Sequence, residues 1–168
     1  MTLEERVARL EDLNEIRSLR NKYHHAVNSK TPERFAEIYT QDAVVYFDDF
    51  MKQEGLDNIL AASRRLSDSA FVKQFLHNHE IELLGDTAMG YCYLDARYAA
   101  EGESMIVAAR YDDEYRRTEA GWRISMTRVN IIFSVPLSQG WANLDAAEIG
   151  RSRFAELART LSENSAPS

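Results

Sequence analysis

Few side chains in this sequence can move a proton or hold a metal at neutral pH, and they cluster. All four histidines fall in two groups, His24-His25 and His77-Asn78-His79. Imidazole is the side chain whose ordinary pKa, about 6.5, lies in the working range of acid–base chemistry. On an extended strand His77 and His79 would share a face, whereas a helix sets His24 and His25 about 100° apart, so at most three can converge. Neither group has a carboxylate beside it at ligand spacing, so partly exposed surface histidines are expected and a bound metal is not.

Three other residues have both a structural and a chemical reading. Tyr23 lies on an apolar helical stripe and is first a core residue, although a buried phenol needs a hydrogen-bond partner. Asn28 suits a helix C-cap; alternatively it presents a neutral amide on the helix face of His24, four residues back. Arg128, between Met126 and Asn130 in chain order, is a surface charge if it faces water and an anion-holding cation if it points inward. No Ser-His-Asp order, Gly-x-Ser-x-Gly elbow or His-Glu-x-x-His pair occurs, so hydrolase templates gain nothing. Cys92 is the sole cysteine, which excludes an internal disulfide and a cysteine-built zinc site.

The elements that must position these groups are legible in the spacing. Apolar residues from Leu3 through Leu19 and Tyr23 to Val27 recur every three or four positions, predicting one long amphipathic helix whose stripe packs on a partner. Asn28 to Pro32 reads as a stop and restart, with Thr31 an N-cap and Pro32 the first position of a short helix through Phe35, Ile38 and Tyr39. Ala43 to Phe47 is β-rich and short, hence a strand, and residues 55–66 return to helical spacing. Four extended stretches follow, roughly 73–84, 87–99, 104–118 and 121–135, separated by tight turns, with Pro136 ending the last. A terminal helix over 146–161 and a frayed tail are expected beyond.

Helices followed by a strand meander give an α+β order, which disfavours dinucleotide and P-loop folds. The expected architecture is a curled, mostly antiparallel sheet wrapped around the N-terminal helices, a cone with one open end and a small-molecule cavity inside. One domain spans residues 1–142, with the terminal helix and tail at 143–168. The chain has 168 residues, 45% hydrophobic and 28% charged, which is globular composition for a single core. Its formal charge of −7 opposes attraction to phosphate backbones and anionic lipid, so nucleic acid and membrane are not expected partners. With no signal-like start and no apolar run near the roughly 18 residues of a membrane span, a cytoplasmic location is expected.

The element order, with Leu13-Asn14-Glu15-Ile16-Arg17-Ser18-Leu19, residues 35–44 (FAEIYTQDAV), residues 81–88 (IELLGDTA) and the Glu114-Tyr115-Arg116-Arg117…Gly121-Trp122-Arg123-Ile124 pattern, resembles the SnoaL-like branch of the nuclear transport factor 2 superfamily. The resemblance covers roughly residues 8 to 142 and is closest in look to three lyase families: scytalone dehydratase, bile acid 7α-dehydratase and hexachlorocyclohexane dehydrochlorinase. Residues 104–137 resemble the dehydrochlorinase without a gap.

Those relatives use an Asp at the end of the first helix and a His at the head of a long strand as an acid–base pair. The matching positions are Asn28 and Gln74, amides with no useful pKa. A pocket Tyr of the dehydratases is matched by Phe47, while Tyr23 and Arg128 match active-site positions. His77, three residues past Gln74, would reach the vacant place if a strand bulge shifted the register.

The resemblance thus implies a lyase, free of metal and cofactor, that eliminates water or another small group from an apolar aromatic or alicyclic compound. A formaldehyde-releasing lyase of aromatic catabolism is a variant. Tyr23, His24, Asn28, His77 and Arg128 are the expected catalytic residues; Phe47, Gln74, Tyr98, Val107, Ala109, Tyr111, Asn130 and Ile132 are the expected substrate-binding residues, from strand alternation and matched positions. The alternatives are a small-molecule-binding or accessory protein that lost the dyad and, third, an isomerase. Self-association as a trimer or dimer is implied by the relatives.

Overall fold

The computed structural model describes residues 1–142 other than Phe50, Ala70 and Glu101. The terminal helix and tail expected over 143–168 lie outside the described residues.

Helix α1, Leu3–Ser29, begins at a capping box in which Thr2 and Glu5 satisfy each other's backbone N–H, at 2.7 and 3.2 Å. It ends at Lys30, whose left-handed backbone (φ 56°) returns two N–H bonds to the last turn through Lys30 and Thr31. Asn28 is therefore inside the helix and not its cap. Burial begins only in the second half, at Ile16 and Leu19; Leu3, Val7 and Leu10 are exposed, so the early part of the stripe has no partner among the described residues. A 3-10 helix follows at Pro32–Glu37, with Thr31 at its N-cap and Pro32 opening it.

Six strands then form one sheet: β1 Tyr39–Phe47, β2 Met51–Glu54, β3 Phe71–Leu84, β4 Thr87–Ala100, β5 Glu103–Thr118 and β6 Gly121–Pro136, with α2, Leu56–Ser69, between β2 and β3. Their order is β2-β1-β6-β5-β4-β3, and all neighbours are antiparallel except β1 and β6. Four-residue β2 went unread in the sequence because Met51-Lys52-Gln53-Glu54 alternates too briefly to signal a strand. The α+β class and the curled, unclosed sheet are as expected.

Bulges curl the sheet and reset which residues face inward. In β3 the pairing passes from His77↔Tyr93 to Glu80↔Tyr91, an extra residue absorbed at Asn78, whose φ is +47°. His77 is thus exposed while His79 turns inward, so the two do not share a face. Gly90 in β4 lies opposite this bulge, where a Cβ would come within 2.6 Å of the Glu80 carbonyl oxygen. In β6 one extra residue falls near Ser125 and another near Ile132.

α1 crosses the inner face of the sheet, anchored by Asp12 and Glu15, which accept from the Trp122 indole and backbone N–H at 2.9 Å each. One apolar cluster around Ile16, Leu19, Ile38 and Trp122 fills the closed end, a second around Cys92, Leu94, Ala109 and Val129 lines the sheet, and Tyr23 and Phe47 touch both.

Candidate functional site

Between the two clusters the cone encloses a cavity of about 1090 Å³, counting its open mouth. Its lining, mostly aliphatic and aromatic with a few polar groups, suits a small apolar molecule. Inward positions of the strands supply the apolar walls, among them Phe47, Leu94, Val107, Val129 and Ile131, and α2 closes one side with Ile59 and Leu66. The polar groups of the lining are the hydroxyls of Tyr23, Tyr39, Tyr98 and Tyr111, with Tyr23 packed against both clusters, and Gln53, Ser63, Arg65 and Gln74 on β2, α2 and β3.

Tyr23 and Tyr111 come from α1 and β5 and meet edge-on, their ring centroids 6.0 Å apart. Behind them lies Arg20, fully buried, its guanidinium carbon 4.1 Å from the Tyr111 ring centroid and 4.9 Å from that of Tyr23. Asp113 on β5 holds that cation through two hydrogen bonds, one of 2.7 Å from Nε and a shorter one from Nη2. Thr127 accepts from Arg20 at 2.8 Å and donates to Asp113 at 2.8 Å. Tyr115 donates to the other Asp113 oxygen at 2.9 Å and lies 3.0 Å from His79 Nε2. Because the Tyr115 hydroxyl hydrogen is committed to Asp113, His79 must carry its proton on Nε2 and donate.

Burial dominates the titration of this cluster. It raises the pKa of Tyr23, against the pull of Arg20 and the neighbouring Tyr111 hydroxyl, and raises that of Tyr111 further, with Tyr23 adding to the effect. Both phenols are protonated donors at neutral pH. His24 packs edge-on to both rings, 5.3 Å from Tyr23 and 5.8 Å from Tyr111, and neither of its nitrogens has a hydrogen-bond partner among the described residues. Burial, Arg20 and His79 push its pKa down to about 3. His79 is lowered to about 4, by burial first. Both imidazoles are neutral in the folded protein near pH 7.

A pH prediction follows. The folded state refuses protons that the unfolded chain takes up below about pH 6.5, so the stability contributed by neutral His24 and His79 is complete above 6.5 and declines as pH falls toward their folded values. Between pH 7 and pH 4.5 His24 contributes on the order of 3 kcal/mol of this loss. Denaturant unfolding at pH 7 and pH 4.5 checks it, and His24→Phe should flatten the dependence.

The structure gathers part of the expected site. Tyr23, Phe47, Gln74, Tyr98, Val107 and Tyr111 line the cavity, Tyr98 giving or taking a 3.0 Å hydrogen bond with Ser134. Ala109 shares the inner face but is sealed in the core. Arg128, Asn130 and Ile132 do not line it, because the bulge near Ser125 gives Thr127, Val129 and Ile131 the inward positions. Arg128 instead lies over the Tyr46 ring at 4.4 Å, Asn130 donates to Asp112 at 2.6 Å, and Ile132 is exposed. His77 is exposed and His24 stands behind the tyrosines, so the structure supports neither as proton carrier to the cavity.

Asn28 is spent on structure. Its amide N donates to the Gln74 carbonyl at 2.8 Å and its amide O accepts from the Gln74 N–H at 2.7 Å, pinning the end of α1 to β3 as a strand partner would. Asn28→Ala should cost about 1–3 kcal/mol in unfolding free energy, since it strands two partly buried backbone groups. Gln74 is left with its side-chain carbonyl oxygen shielded, without a hydrogen-bond partner among the described residues and able to accept from a ligand. Among the described residues no carboxylate, imidazole or thiol lines the cavity, and no group of three metal-ligating side chains is assembled.

A model of the SnoaL-like domain matches residues 8–128. The chain belongs to the SnoaL-like family. An uncharacterised protein of Mycobacterium tuberculosis strain H37Rv is 26% identical over 126 residues, covering 70% of this chain and 84% of that protein. A solved nuclear transport factor 2-like protein with a cystatin-like fold from Novosphingobium aromaticivorans is 27% identical, with TM-score 0.65 over 77% of this chain and 88% of that one. Hexachlorocyclohexane dehydrochlorinase LinA-type3 from Novosphingobium barchaimii shares the fold at 18% identity, with TM-score 0.68 over 82% of this chain and 95% of that one. Within the SnoaL-like fold, Arg20 and Asp113 are the residues that sequence reasoning passed over. Their signal was present: Arg20 interrupts the apolar stripe between Ile16, Leu19 and Tyr23, and Asp113 alternates with Tyr111 and Tyr115 on an inward face.

Proposed function

We propose that this SnoaL-like protein is a lyase that binds a small, mostly apolar aromatic or alicyclic compound in the cone and eliminates water or a comparable small group from it. The observation that carries the reading is the edge-on Tyr23–Tyr111 pair in the cavity wall, backed by the buried Arg20 cation. Such a pair donates to a ligand oxygen in a dry, apolar setting, where a hydrogen bond to developing negative charge is strongest. In the elimination the C–H bonding pair becomes the new π bond and the C–O pair departs on oxygen. A floor phenol supplies the proton that completes water, and the phenolate so formed takes the proton from carbon, which restores the pair. The raised phenol pKa makes that phenolate a strong base, and Arg20 stabilises its charge while it lasts.

A second reading, a binding or accessory protein without turnover, is favoured by one observation: the described walls carry no group that titrates near neutral pH. Incubation of the protein with a panel of hydroxylated aromatic and alicyclic compounds, followed by mass spectrometry for loss of water or formaldehyde, separates the two. Turnover of a panel member supports the lyase, and tight binding with no product across the panel supports the binder. Exposed Phe75, Tyr93 and Ile132 on the outer face of the sheet suit the self-association we propose alongside.

A further inference from the structure

We propose that the side-chain amide of Gln74 is the recognition group for a hydroxyl on the ligand, so that the compound seated in the cone is a ring carrying a free hydroxyl besides the oxygen that meets the phenols. The inference rests on the small-molecule reading above and narrows its substrate class.

Gln74 lies on β3 and lines the cavity, and Asn28 holds its backbone at both polar groups, 2.7 Å from the N–H and 2.8 Å from the carbonyl oxygen. That clasp fixes where the side chain starts without using the side chain. Its amide oxygen Oε1 is buried, and no donor among the described residues reaches it. The donors next to it in the fold are committed to backbone: Asn28 Nδ2 to the Gln74 carbonyl, and Lys73 Nζ to the Asn28 carbonyl. An acceptor left unpaired in this way destabilises the ligand-free protein, and a ligand that supplies the missing donor removes that cost on binding. The last torsion of a glutamine side chain is soft, so a turn of the amide brings Oε1 to a donor inside the cavity.

Polarity then sorts the ligand. Tyr23 and Tyr111 keep their protons at neutral pH and need an acceptor, whereas the Gln74 oxygen needs a donor. An ammonium group would donate, but no carboxylate among the described lining residues balances its charge. A neutral hydroxyl donates without that penalty. A methyl ether has the oxygen but not the hydrogen, and an unsubstituted ring position has neither, so both leave the acceptor unpaired. Gln53, the other glutamine of the lining, has no such buried, unpartnered oxygen and serves as the internal control.

Isothermal titration calorimetry on the intact protein tests this with hydroxytetralones and hydroxyacetophenones, the hydroxyl placed at each ring position in turn, beside the parent ketones and the matching methyl ethers. Wild-type protein should bind the best hydroxyketone about 10- to 100-fold tighter than its parent ketone and its ether. Gln74→Met should bring both ratios to within about threefold of unity, Gln74→Glu should keep them because it keeps an acceptor, and Gln53→Met should leave them intact. Ligand-free Gln74→Met should unfold at the wild-type temperature or above it, since the bonds to Asn28 are made by the Gln74 backbone and an unpaired acceptor has gone. A lower unfolding temperature gives Gln74 a structural role and overturns the proposal. Ratios near unity in the wild type, or ratios that survive Gln74→Met, also overturn it, and ketone binding then leaves the cavity reading standing. Binding of no member of the panel overturns both.

Discussion

Tyr23→Phe and Tyr111→Phe should each lower kcat by about 10²–10⁴-fold, the range for loss of a general acid–base group, with a much smaller change in ligand affinity. Each substitution removes one oxygen and keeps the ring, so the edge-on packing of the pair and the contact with Arg20 survive. Thermal unfolding of the variants should therefore lie close to wild type, which separates lost chemistry from lost structure. Steady-state kinetics on a substrate found in the panel reads the effect directly. If either phenol is dispensable while the other is not, that oxygen alone carries the proton. Full activity in both single variants and in the double variant removes the mechanism. The histidines make a contrasting control: His77→Gln should leave turnover unchanged, because His77 is exposed and does not line the cavity.

The second large effect concerns stability. Asp113→Leu leaves Arg20 as a buried cation without its carboxylate, and about 3–5 kcal/mol of unfolding free energy should be lost. Arg20→Met should cost a similar amount by stranding Asp113. The double variant should lose clearly less than the sum, since removing both charges together also removes their desolvation penalty, and a double-mutant cycle by urea unfolding measures that coupling. Strict additivity would contradict the picture of a single buried pair. Tyr115 and Thr127, both hydrogen-bonded to Asp113, tie the cluster to neighbouring strand positions and prevent the charges from separating.

The difference between what was legible and what was not has physical causes. Period and punctuation carried the fold: apolar repeats marked α1, turn dipeptides marked β3 to β6, and Pro136 marked the end of the meander. Inward positions were legible wherever strand alternation ran undisturbed, as in β5, where Val107 and Tyr111 line the cavity as expected. They became illegible after a bulge, since one inserted residue inverts every later side chain. That inversion put Val129 and Ile131 where Asn130 and Ile132 were expected, and in β3 it drew His79 inward, whereas His77, before the bulge, faces out by the same alternation that turns Gln74 in. Asn28 shows a different limit. An amide next to a helix end reads as a cap, whereas its partner here is Gln74, 46 residues away. The family resemblance points to Asn28 and Gln74 as the positions of its acid–base pair, but only the packing shows that the two phenols stand against the buried Arg20–Asp113 pair.

The central claim is that the phenols at the floor of the cone receive the ligand's oxygen. A crystal structure of the protein with a bound hydroxylated aromatic or alicyclic compound, chosen from the panel as substrate or tight binder, tests it most directly. The account predicts a ligand oxygen within about 3.2 Å of the Tyr23 or Tyr111 hydroxyl, with the ring against Val107 and Val129. A ligand whose oxygens all point to the mouth, with apolar carbon against both phenols, or one bound outside the cone, would contradict it.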